Sequence, residues 1–568
     1  MASNGEGCIM EKKVAWWDKL GKPQYGGEMV IRVNRKIVNL DPYYGVHLPQ
    51  IHTAWMEKLF VDDWTLDPEI YDYRMYLPPN QYVKGHLAET WEFTDPYTFV
   101  VHLRKGVHWQ DIPPANGREF TADDVAFHFH RLYGLGSGYT KPSPDLANEA
   151  AFKELISVTV PDKYTVVFKW KTSNRKLIIN ALQEVGTTLC LENPEAVRKW
   201  GDVRDWHHAI GTGPFILKDF VPGSSATLVK NPNYWGHDER YPQNKLPYVD
   251  KLRLMIIPDE NAALEALLTG KVDVVDQISF KQAQLIRKTN PEILQIPILI
   301  PSTTIEPRND VAPFNDIRVR KAMQMAIDLP TIARTYYGGI FEPYPSTVTS
   351  RYMKGWGFPY EDWPQDLKDE YAYNPTTAKK LLADAGFPSG FKTNIVANTS
   401  ADMQLLQLVK SYFADVGIDM EIRPMESTDW TVFVINGHKH DQLTYAAVSP
   451  YGHAYEPTRQ PQRLHTGASS NYLMVSDPVF DAFQAKAIAA TNEDQLKQVL
   501  RDANERVARQ HFAISLLQTM KYSLHQPWFK GYNGQFGSVC SAAGSPQLLF
   551  FYPARFWIDH DLKKSMGH

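Results

Sequence analysis

Alternation of apolar and polar positions marks several strands of this chain. In DPYTFVVHLRKGVHW at 95–109, Phe99, Val101 and Leu103 fall on one face of an extended backbone, which is the period of a strand with one buried side. The stretch DKYTVVFKWK at 162–171 repeats the pattern. Both runs begin with Asp-x-Tyr-Thr, so we expect them to lie in one small sheet.

Apolar residues spaced three and four apart predict helices elsewhere in the chain. The apolar positions that follow the capping residue Asp316 are Val319, Ala322, Met323, Ala326 and Ile327. Asn374 and Pro375 begin a second helix of this kind, Gly386 ends it, and a strand is predicted at 392–398. Helices that alternate with strands favour an α/β fold for this region.

Shorter signals predict further elements of the same two types. A first strand is expected at 29–33, after a pair of glycines. Thr121 and Asp124 have the spacing of a capping box, which predicts a helix between the two strands of the small sheet. The stretch NAALEALLTG at 261–270 predicts a short helix, and KVDVVD at 271–276 predicts the strand after it.

Gly211-Thr-Gly213 raises the question of a phosphate-binding loop. Such a loop must open a helix, because the amino-terminal N–H groups of the helix hold the anion. Here Pro214 and a mostly β-favouring run follow, up to a Pro-Gly turn at 222–223. We therefore predict a β-hairpin, with 226–230 as its return strand, rather than a phosphate site.

Composition excludes several classes of protein. The 568 residues suffice for about three or four domain-sized units, and a formal net charge of -4 offers no basic surface for nucleic acid. The three cysteines form no CxxC motif, and the histidine pairs at 128 and 130, 207 and 208, and 438 and 440 lie outside any HExxH frame. We predict no metal, no cofactor and no nucleic-acid partner.

The beginning of the chain carries no apolar core typical of a signal peptide, and no run of about 18 apolar residues occurs anywhere. We interpret 1–24 as a tether or remnant before the first strand. Cys8 follows Gly-Glu-Gly, which is a poor match to a lipidation site, so we favour an incidental cysteine and keep a lipid anchor as the alternative.

Several motifs in the same order resemble the oligopeptide- and dipeptide-type solute-binding proteins of ABC importers, the bacterial extracellular solute-binding proteins of family 5. The stretches that carry the resemblance are HLAETWEF, YTFVVHLRKGVHWQD, GREFTADDVAFHFHRL, GTGPFILKDFVPGSSATLVKNPNYWG, LPYVDKLRLMIIPDENAALEALLTGKVDVVD, PFNDIRVRKAMQMAID and YNPTTAKKLLADAGFPSGF. They extend the resemblance from about Gly26 to the carboxyl terminus.

The resemblance implies a bilobal periplasmic-binding-protein fold, with two α/β lobes, a hinge and an extra small α+β domain. Lobe one is expected to contain 25–66, 185–257 and 518–568, and the small domain 67–184. Lobe two is expected to span 258–517, with hinge strands near Ile257 and Thr519. Two chain crossings of this kind can bend together.

The resemblance also implies function: capture of a solute, most simply a peptide, between the lobes and its delivery to an ABC permease. We expect a monomer at the periplasmic or extracellular face of the cytoplasmic membrane, without enzymatic activity. The segments that resemble ligand-contacting stretches of the family, together with nearby candidates, provide the expected ligand-binding residues: Val33, Asn34, Arg35, Arg308, Trp430, Tyr445, Ala447, Val448, Ser449, Tyr451 and Glu456. A core position for Trp430 and Tyr445, and a solvated loop position for Arg308, are the competing interpretations.

One departure from the family pattern bears on the ligand. Peptide-binding relatives place an aspartate after a lobe-two strand, where it pairs with the α-ammonium of the peptide, whereas this chain has Ser449-Pro450-Tyr451 there. We predict either a ligand without an α-ammonium or an amine held elsewhere, with Glu456 or Asp441 as the substitutes. A non-peptide solute such as an oligosaccharide or a metal chelate stays open, and a secreted hydrolase is the alternative of another class, although no GxSxG or HExxH motif is present.

Overall fold

The structure is a computed structural model of the whole chain. The residues that it describes are 15–34, 36–37, 40–44, 49–63, 65–67, 70, 82–143, 154–175, 178–179, 182, 190–299, 303–345, 355–399, 401–446, 464–468, 470–517, 519–532 and 553–568.

The first sheet, which we call the large sheet, has seven strands. Their spatial order is Leu294–Leu299, Met520–His525, Val274–Ile278, Glu28–Val33, Lys251–Ile256, Ser225–Lys230 and Phe215–Val221. Alternate residues of its strands enter two separate cores: Met29, Ile31 and Val33 pack on one face, and Val275 and Ile278 pack on the other face against neighbouring helices. Burial on both faces is typical of the sheet in an α/β protein.

The second sheet, which we call the five-stranded sheet, is also covered on both faces. The order of its strands is Ile418–Met425, Phe391–Asn398, Leu443–Ala446, Thr304–Pro307 and Ile514–Ser515. Ile305, Ile395 and Tyr445 enter one core, and Val396 enters the other. The molecule therefore has two α/β lobes, each built on its own sheet.

A third sheet, the small sheet, has four antiparallel strands and its own core. The order of its strands is Ala88–Asp95, Thr98–Leu103, Thr165–Trp170 and Leu155–Asp162. Among the described residues there are also three two-stranded pairs: Phe60–Asp62 with Val83–Gly85, His237–Asp238 with Tyr241–Lys245, and Phe529–Lys530 with Trp557–Ile558. The small sheet and its helix fall within 67–184, and the exact bounds of the small domain stay a prediction.

Helices connect and cover these sheets. The α-helices are Pro49–Trp55, Ala122–Tyr133, Pro194–Trp200, Glu260–Leu268, Phe280–Thr289, Ile317–Met325, Leu329–Thr331, Gln365–Tyr371, Pro375–Asp384, Met403–Asp415, Ser427–Trp430, Pro478–Ala489, Glu493–Gln510 and His560–Ser565. The 3₁₀-helices are Trp16–Leu20, Pro42–Tyr44, Trp206–His208, Tyr360–Asp362 and Pro553–Arg555, and the π-helical turns are Ile332–Tyr336 and Thr431–Asn436. Within the described part of the chain, no helix is long and apolar enough to cross a membrane.

The local predictions for strands and helices are confirmed. The helix Ala122–Tyr133 begins with the capping box of Thr121 and Asp124, and the side chains of Asp316 and Asn374 accept backbone N–H groups at the starts of their helices. His128 pairs with Glu192 inside the protein, whereas His130 bonds Ser137. The two histidines therefore serve packing and do not share a site.

The Gly-Thr-Gly segment leads into the predicted hairpin and not into a helix. Strands Phe215–Val221 and Ser225–Lys230 pair antiparallel. A Cβ on Gly211 would lie 1.7 Å from the carbonyl oxygen of Trp55, and one on Gly213 would lie 2.7 Å from the carbonyl carbon of that residue. The glycines thus permit close contact with the end of the helix Pro49–Trp55, because no side chain separates the two backbones.

The boundary expected between the lobes at Ile257 differs from the sheet topology. Strands Val274–Ile278 and Leu294–Leu299 belong to the large sheet, beside Glu28–Val33 and Met520–His525. The chain therefore first passes to the five-stranded sheet after Leu299, about 40 residues later than the family pattern suggested. The chain returns to the large sheet between Ser515, in the last strand of the five-stranded sheet, and Met520, and the exact bounds of the lobes stay a prediction.

Candidate functional site

The chain passes between the two large sheets at two neighbouring places. Leu299 pairs with Met520 in the large sheet, and Thr304 pairs with Ser515 in the five-stranded sheet. The backbone N–H of Leu516 donates to the carbonyl oxygen of Thr303 at 2.9 Å, which holds the two connections together. Paired short connections of this kind can absorb a rotation of one lobe against the other. We call the ends of the sheets where they lie the crossing edges.

The crossing edge of the large sheet collects the carboxyl ends of parallel strands. Glu28–Val33 is parallel to Lys251–Ile256 and to Val274–Ile278, and Leu294–Leu299 runs in the same direction because both it and Val274–Ile278 are antiparallel to Met520–His525. Ligands of open α/β sheets bind outside the carboxyl ends of the strands. This edge is therefore the candidate site surface of lobe one.

The five-stranded sheet presents an equivalent edge. Phe391–Asn398 is parallel to Ile418–Met425 and to Leu443–Ala446, so their carboxyl ends lie together. Ala446 pairs with Thr304, the first strand residue after the crossing. The carboxyl ends of parallel strands in both lobes therefore border the two connections, and the space between the two crossing edges is the candidate binding cleft.

Arg32 binds the backbone of neighbouring segments at the crossing edge of lobe one. Its guanidinium is 3 % exposed and donates to the carbonyl oxygens of Ile257 at 2.7 Å, Asp276 at 2.6 Å and Pro258 at 3.0 Å. Burial lowers the pKa of Arg32, and the carboxylate of Asp276 opposes that shift. One buried cation thus joins the segment after the strand Lys251–Ile256 to the strand Val274–Ile278, a role that the sequence pattern of an apolar strand did not reveal.

Side chains of both lobes meet beside the crossings. The hydroxyls of Tyr336 and Tyr337 donate to the carboxylate of Asp402 at 2.8 and 3.2 Å. Lys281, from the helix that follows a large-sheet strand, bonds the side chain of Gln404 and lies 4.3 Å from the centre of the Tyr336 ring. The two contacts of Lys281 join the lobes, whereas the bonds to Asp402 organise the side chains of lobe two that it meets.

Lys521 carries a charge into the same region. Burial lowers the pKa of its ammonium group, and the carboxylates of Glu260, Asp276 and Asp402 act against that shift. Asp402 belongs to lobe two, whereas Glu260 and Asp276 belong to lobe one. The electrostatic balance at Lys521 therefore depends on the relative position of the lobes.

Two of the sequence-predicted residues lie at the crossing edge of lobe one. Val33 is the last residue of its strand and is buried, and its carbonyl oxygen accepts the N–H of Ile257 at 2.9 Å. Asn34 follows directly and is partly exposed. Asn34 therefore stays a candidate ligand residue, whereas the side chain of Val33 contributes to the core.

Trp430 and Tyr445 are buried in lobe two, 3 % and 0 % exposed. The indole N–H of Trp430 donates to Oγ1 of Thr444 at 2.9 Å, and the hydroxyl of Tyr445 donates to the carbonyl oxygen of Asp402 at 3.1 Å. Both rings have their polar atoms satisfied within the lobe. Both rings therefore occupy the core positions that were the competing interpretation of the sequence.

Arg308 lies at the wrong end of its strand for the cleft. It follows Pro307, at the far end of the strand that begins at Thr304, which is about 13 Å away at the usual rise of a strand. Its guanidinium bonds the carboxylate of Asp310 at 2.7 Å and the carbonyl oxygen of His438 at 3.1 Å. The prediction that Arg308 reaches the ligand therefore does not fit the structure.

Asp441 also lies at this far end, just before the strand Leu443–Ala446, where the side-chain amide of Asn394 donates to it at 3.1 Å. It is consequently a poor substitute for the aspartate that grips an amine in peptide-binding relatives. The remaining predicted residues lie outside the described part of the chain: Arg35, Ala447, Val448, Ser449, Tyr451 and Glu456.

A separate polar pocket lies inside lobe one, near Lys58 and Arg555. Its centre is Glu57, which pairs with His86 at 2.7 Å and accepts the hydroxyl of Tyr234 at 2.8 Å. Burial raises the pKa of Glu57, but His86 and the hydrogen bonds outweigh it, so the net pKa is lowered. These groups satisfy one another. Among the residues that the structure describes, no cluster of three His, Cys, Asp or Glu side chains is arranged to hold a metal ion.

Comparison with known proteins yields one family and many similar folds. The family described as "Bacterial extracellular solute-binding proteins, family 5 Middle" matches residues 82–462. Heme-binding protein A of Haemophilus influenzae is 26% identical over 476 residues, which cover 79% of this chain and 81% of that protein. Glutathione-binding protein GsiB of Escherichia coli is 26% identical over 404 residues, which cover 70% of each chain.

Solved structures share the fold over nearly the whole chain. The periplasmic binding protein DppA from Helicobacter pylori, in complex with the peptide STSA, superimposes with a TM-score of 0.73 at 19% identity, covering 94% of this chain and 99% of that one. NikZ from Campylobacter jejuni, in complex with Ni(L-His), gives a TM-score of 0.72 at 16% identity, covering 93% and 99%. The same fold thus accommodates a peptide in one protein and a metal chelate in the other.

Proposed function

We propose, because this chain belongs to the bacterial extracellular solute-binding proteins of family 5, that it captures a peptide or peptide-like solute in the cleft between its two crossing edges. Proteins of this family are transport components and not enzymes, are periplasmic or extracellular, and deliver their ligands to ABC transporter permeases. A monomeric state stays a prediction of the sequence, and a lipid anchor through Cys8 stays the alternative to an incidental cysteine.

The observation that carries the proposal is the pair of crossings. The carboxyl ends of parallel strands from both lobes border the same two connections. A rotation about these connections would bring the two edges together and enclose a solute, and a closed cleft strengthens polar contacts because water is excluded. The topology therefore supports capture by closure.

The class of solute rests on the relatives. Glutathione, named for one curated relative, is itself a peptide-like molecule, and two superimposing structures hold peptides. The named heme and nickel-histidine ligands of other relatives support the alternative of a non-peptide solute. Fold similarity does not decide between these, because the same scaffold carries different sites.

The amino terminus of a peptide ligand distinguishes two modes of binding. Ser449-Pro450-Tyr451 stands where peptide-binding relatives have an aspartate, and a serine hydroxyl cannot neutralise an ammonium group. We therefore propose a ligand without an α-ammonium, or one whose amine is held with little loss on blocking. Calorimetry with matched free and N-acetylated peptides tests this: a tenfold loss of affinity on acetylation, or about 1.4 kcal/mol, that disappears in a Ser449 variant would contradict it.

The function itself is tested by identifying what the protein holds. Native mass spectrometry of protein purified under mild conditions, followed by calorimetry with the released compound, is expected to give one solute bound per chain. Asn34→Ala should weaken that binding about fivefold through loss of a hydrogen bond, whereas Asn290→Ala, at the far end of the helix Phe280–Thr289, should leave it unchanged. Equal affinities of the two variants would contradict the placement of the site.

A further inference from the structure

Two polar residues connect the small sheet to lobe two. Thr172 and Asn174 follow the strand Thr165–Trp170 of the small sheet. The hydroxyl of Thr172 donates to the carbonyl oxygen of Ile488 at 3.1 Å, and the side-chain amide of Asn174 donates to the carbonyl oxygen of Ala487 at 3.0 Å.

The donor side of this contact is organised locally. The backbone N–H of Asn174 donates to the hydroxyl oxygen of Thr172 at 3.1 Å, so the two side chains hold each other in position. Thr172 is 7 % exposed and Asn174 is 5 % exposed. Side chains of this polarity are buried only where partners satisfy them, and here those partners are in the other lobe.

The acceptor side is the end of a helix in lobe two. Helix Pro478–Ala489 packs through Phe480 and Phe483 into the same core as Val396 of the five-stranded sheet. The last carbonyl groups of a helix have no partner within it, and Ala490 continues in an extended conformation. Thr172 and Asn174 therefore cap this helix from another domain, and Ile488 packs against the core of the small sheet.

The contact lies on elements that contain neither of the two crossings. Another side-chain hydrogen bond between the lobes joins Lys281 to Gln404, on segments that begin at the crossing edges. Thr172 and Asn174 follow a strand of the small sheet, which is separate from the two sheets that the crossings join. A contact near the axis survives a small rotation, whereas one on a remote domain must break when the lobes open.

We propose that Thr172 and Asn174 form a latch that holds the two lobes closed in the absence of solute. The inference rests on the two-lobe hinge of the proposed function. It adds a contact that sets the ratio of open to closed protein when no solute is bound. Loss of two neutral hydrogen bonds should change the ratio of open to closed protein by about tenfold. A contact of this strength shifts the open–closed equilibrium of the empty protein only modestly, so the differential affinity of the solute still determines which conformation dominates.

The test measures the distance between the lobes directly. Spin labels are attached through Glu89→Cys on the small sheet and Asp494→Cys on lobe two, both at exposed positions, after Cys8 and Cys540 are changed to serine. Cys190 can stay, because it is buried and burial raises the pKa of its thiol to about 11. Pulsed electron resonance then gives the populations of short and long distances in the full-length protein.

The double variant Thr172→Val with Asn174→Leu keeps the size of both side chains and removes both donors. We expect its population of long distances, without solute, to rise about tenfold relative to that of short ones. Thr172→Ser retains a hydroxyl and should behave as the parent protein. Thr165→Val removes a hydroxyl that bonds His102 within the small domain, so it should not change the distances.

Each outcome has a defined meaning. A double variant with the parental mixture of short and long distances would overturn the latch and leave the hinge intact. A single distance that changes neither in the variants nor with the co-purified solute would overturn the latch together with the hinge of the proposed function. A rise in long distances for Thr165→Val as well would show general loosening of the small domain and would also overturn the latch.

Discussion

His440 and His525 are imidazoles that the fold removes from water, with exposures of 1 % and 4 %. Burial, followed by the charge of Arg308, lowers the pKa of His440 from 6.5 to about 4, and burial lowers the pKa of His525 to about 4 as well. The unfolded chain therefore takes up protons near pH 6.5, whereas the folded protein resists them until about pH 4. These two histidines therefore cost no stability above pH 6.5, and they lower the free energy of unfolding as the pH drops from 6.5 towards 4.

Single substitutions test this acid dependence. His440→Gln should flatten the fall of the thermal midpoint between pH 6.5 and 4.5, since each unit of pKa difference corresponds to about 1.4 kcal/mol. His237→Gln is the control, because that ring is exposed and hydrated in both states. Equal slopes for His440→Gln and the parent protein would show that burial of this imidazole does not limit stability in acid.

At the scale of elements, the hairpin depends on contact between two backbones. The N–H of Gly213 donates to the carbonyl oxygen of Trp55 at 3.0 Å, and a Cβ on Gly211 would fall 1.7 Å from that oxygen. Gly211→Ala must therefore separate the hairpin from the helix Pro49–Trp55. We expect a loss of about 1 to 3 kcal/mol or more, seen as a thermal midpoint lower by several degrees.

The turn of the same hairpin provides a matched control. Gly223 has φ near +74°, and a Cβ there would meet no atom within 4 Å. Asparagine tolerates the left-handed conformation better than most residues, so Gly223→Asn should lower the midpoint far less than Gly211→Ala. A reversed order of the two variants would refute the role given to the Trp55 contact.

At the scale of the whole molecule, the two crossings predict closure on binding. In the proposed closure the lobes rotate about the two crossings, which lie next to the pairs Leu299–Met520 and Thr304–Ser515, so enclosing a solute should reduce the radius of gyration. Small-angle scattering before and after saturation with the co-purified solute measures this change. An unchanged radius at saturation would count against the hinge, and the latch variant without solute should begin from a larger radius than the parent protein.

The sequence by itself determined the local elements and the family. Caps at Thr121, Asp316 and Asn374 and the periodicity behind them depend on neighbours within a few residues, and the structure confirms them. The hairpin after Gly213 is equally local, because turn residues and β-favouring runs act over short distances. The motif order from 82 onwards carried the family assignment.

Only the tertiary structure decided where these elements meet. The placement of Val274–Ile278 and Leu294–Leu299 in the large sheet follows from strand order, which local patterns do not encode. Register places Arg308 at the end of its sheet away from the cleft. The three carbonyl contacts of Arg32 and the bond from Asn174 to Ala487 join residues more than 200 positions apart. Such contacts arise from packing of distant segments, so a periodicity that extends over a few residues does not contain them.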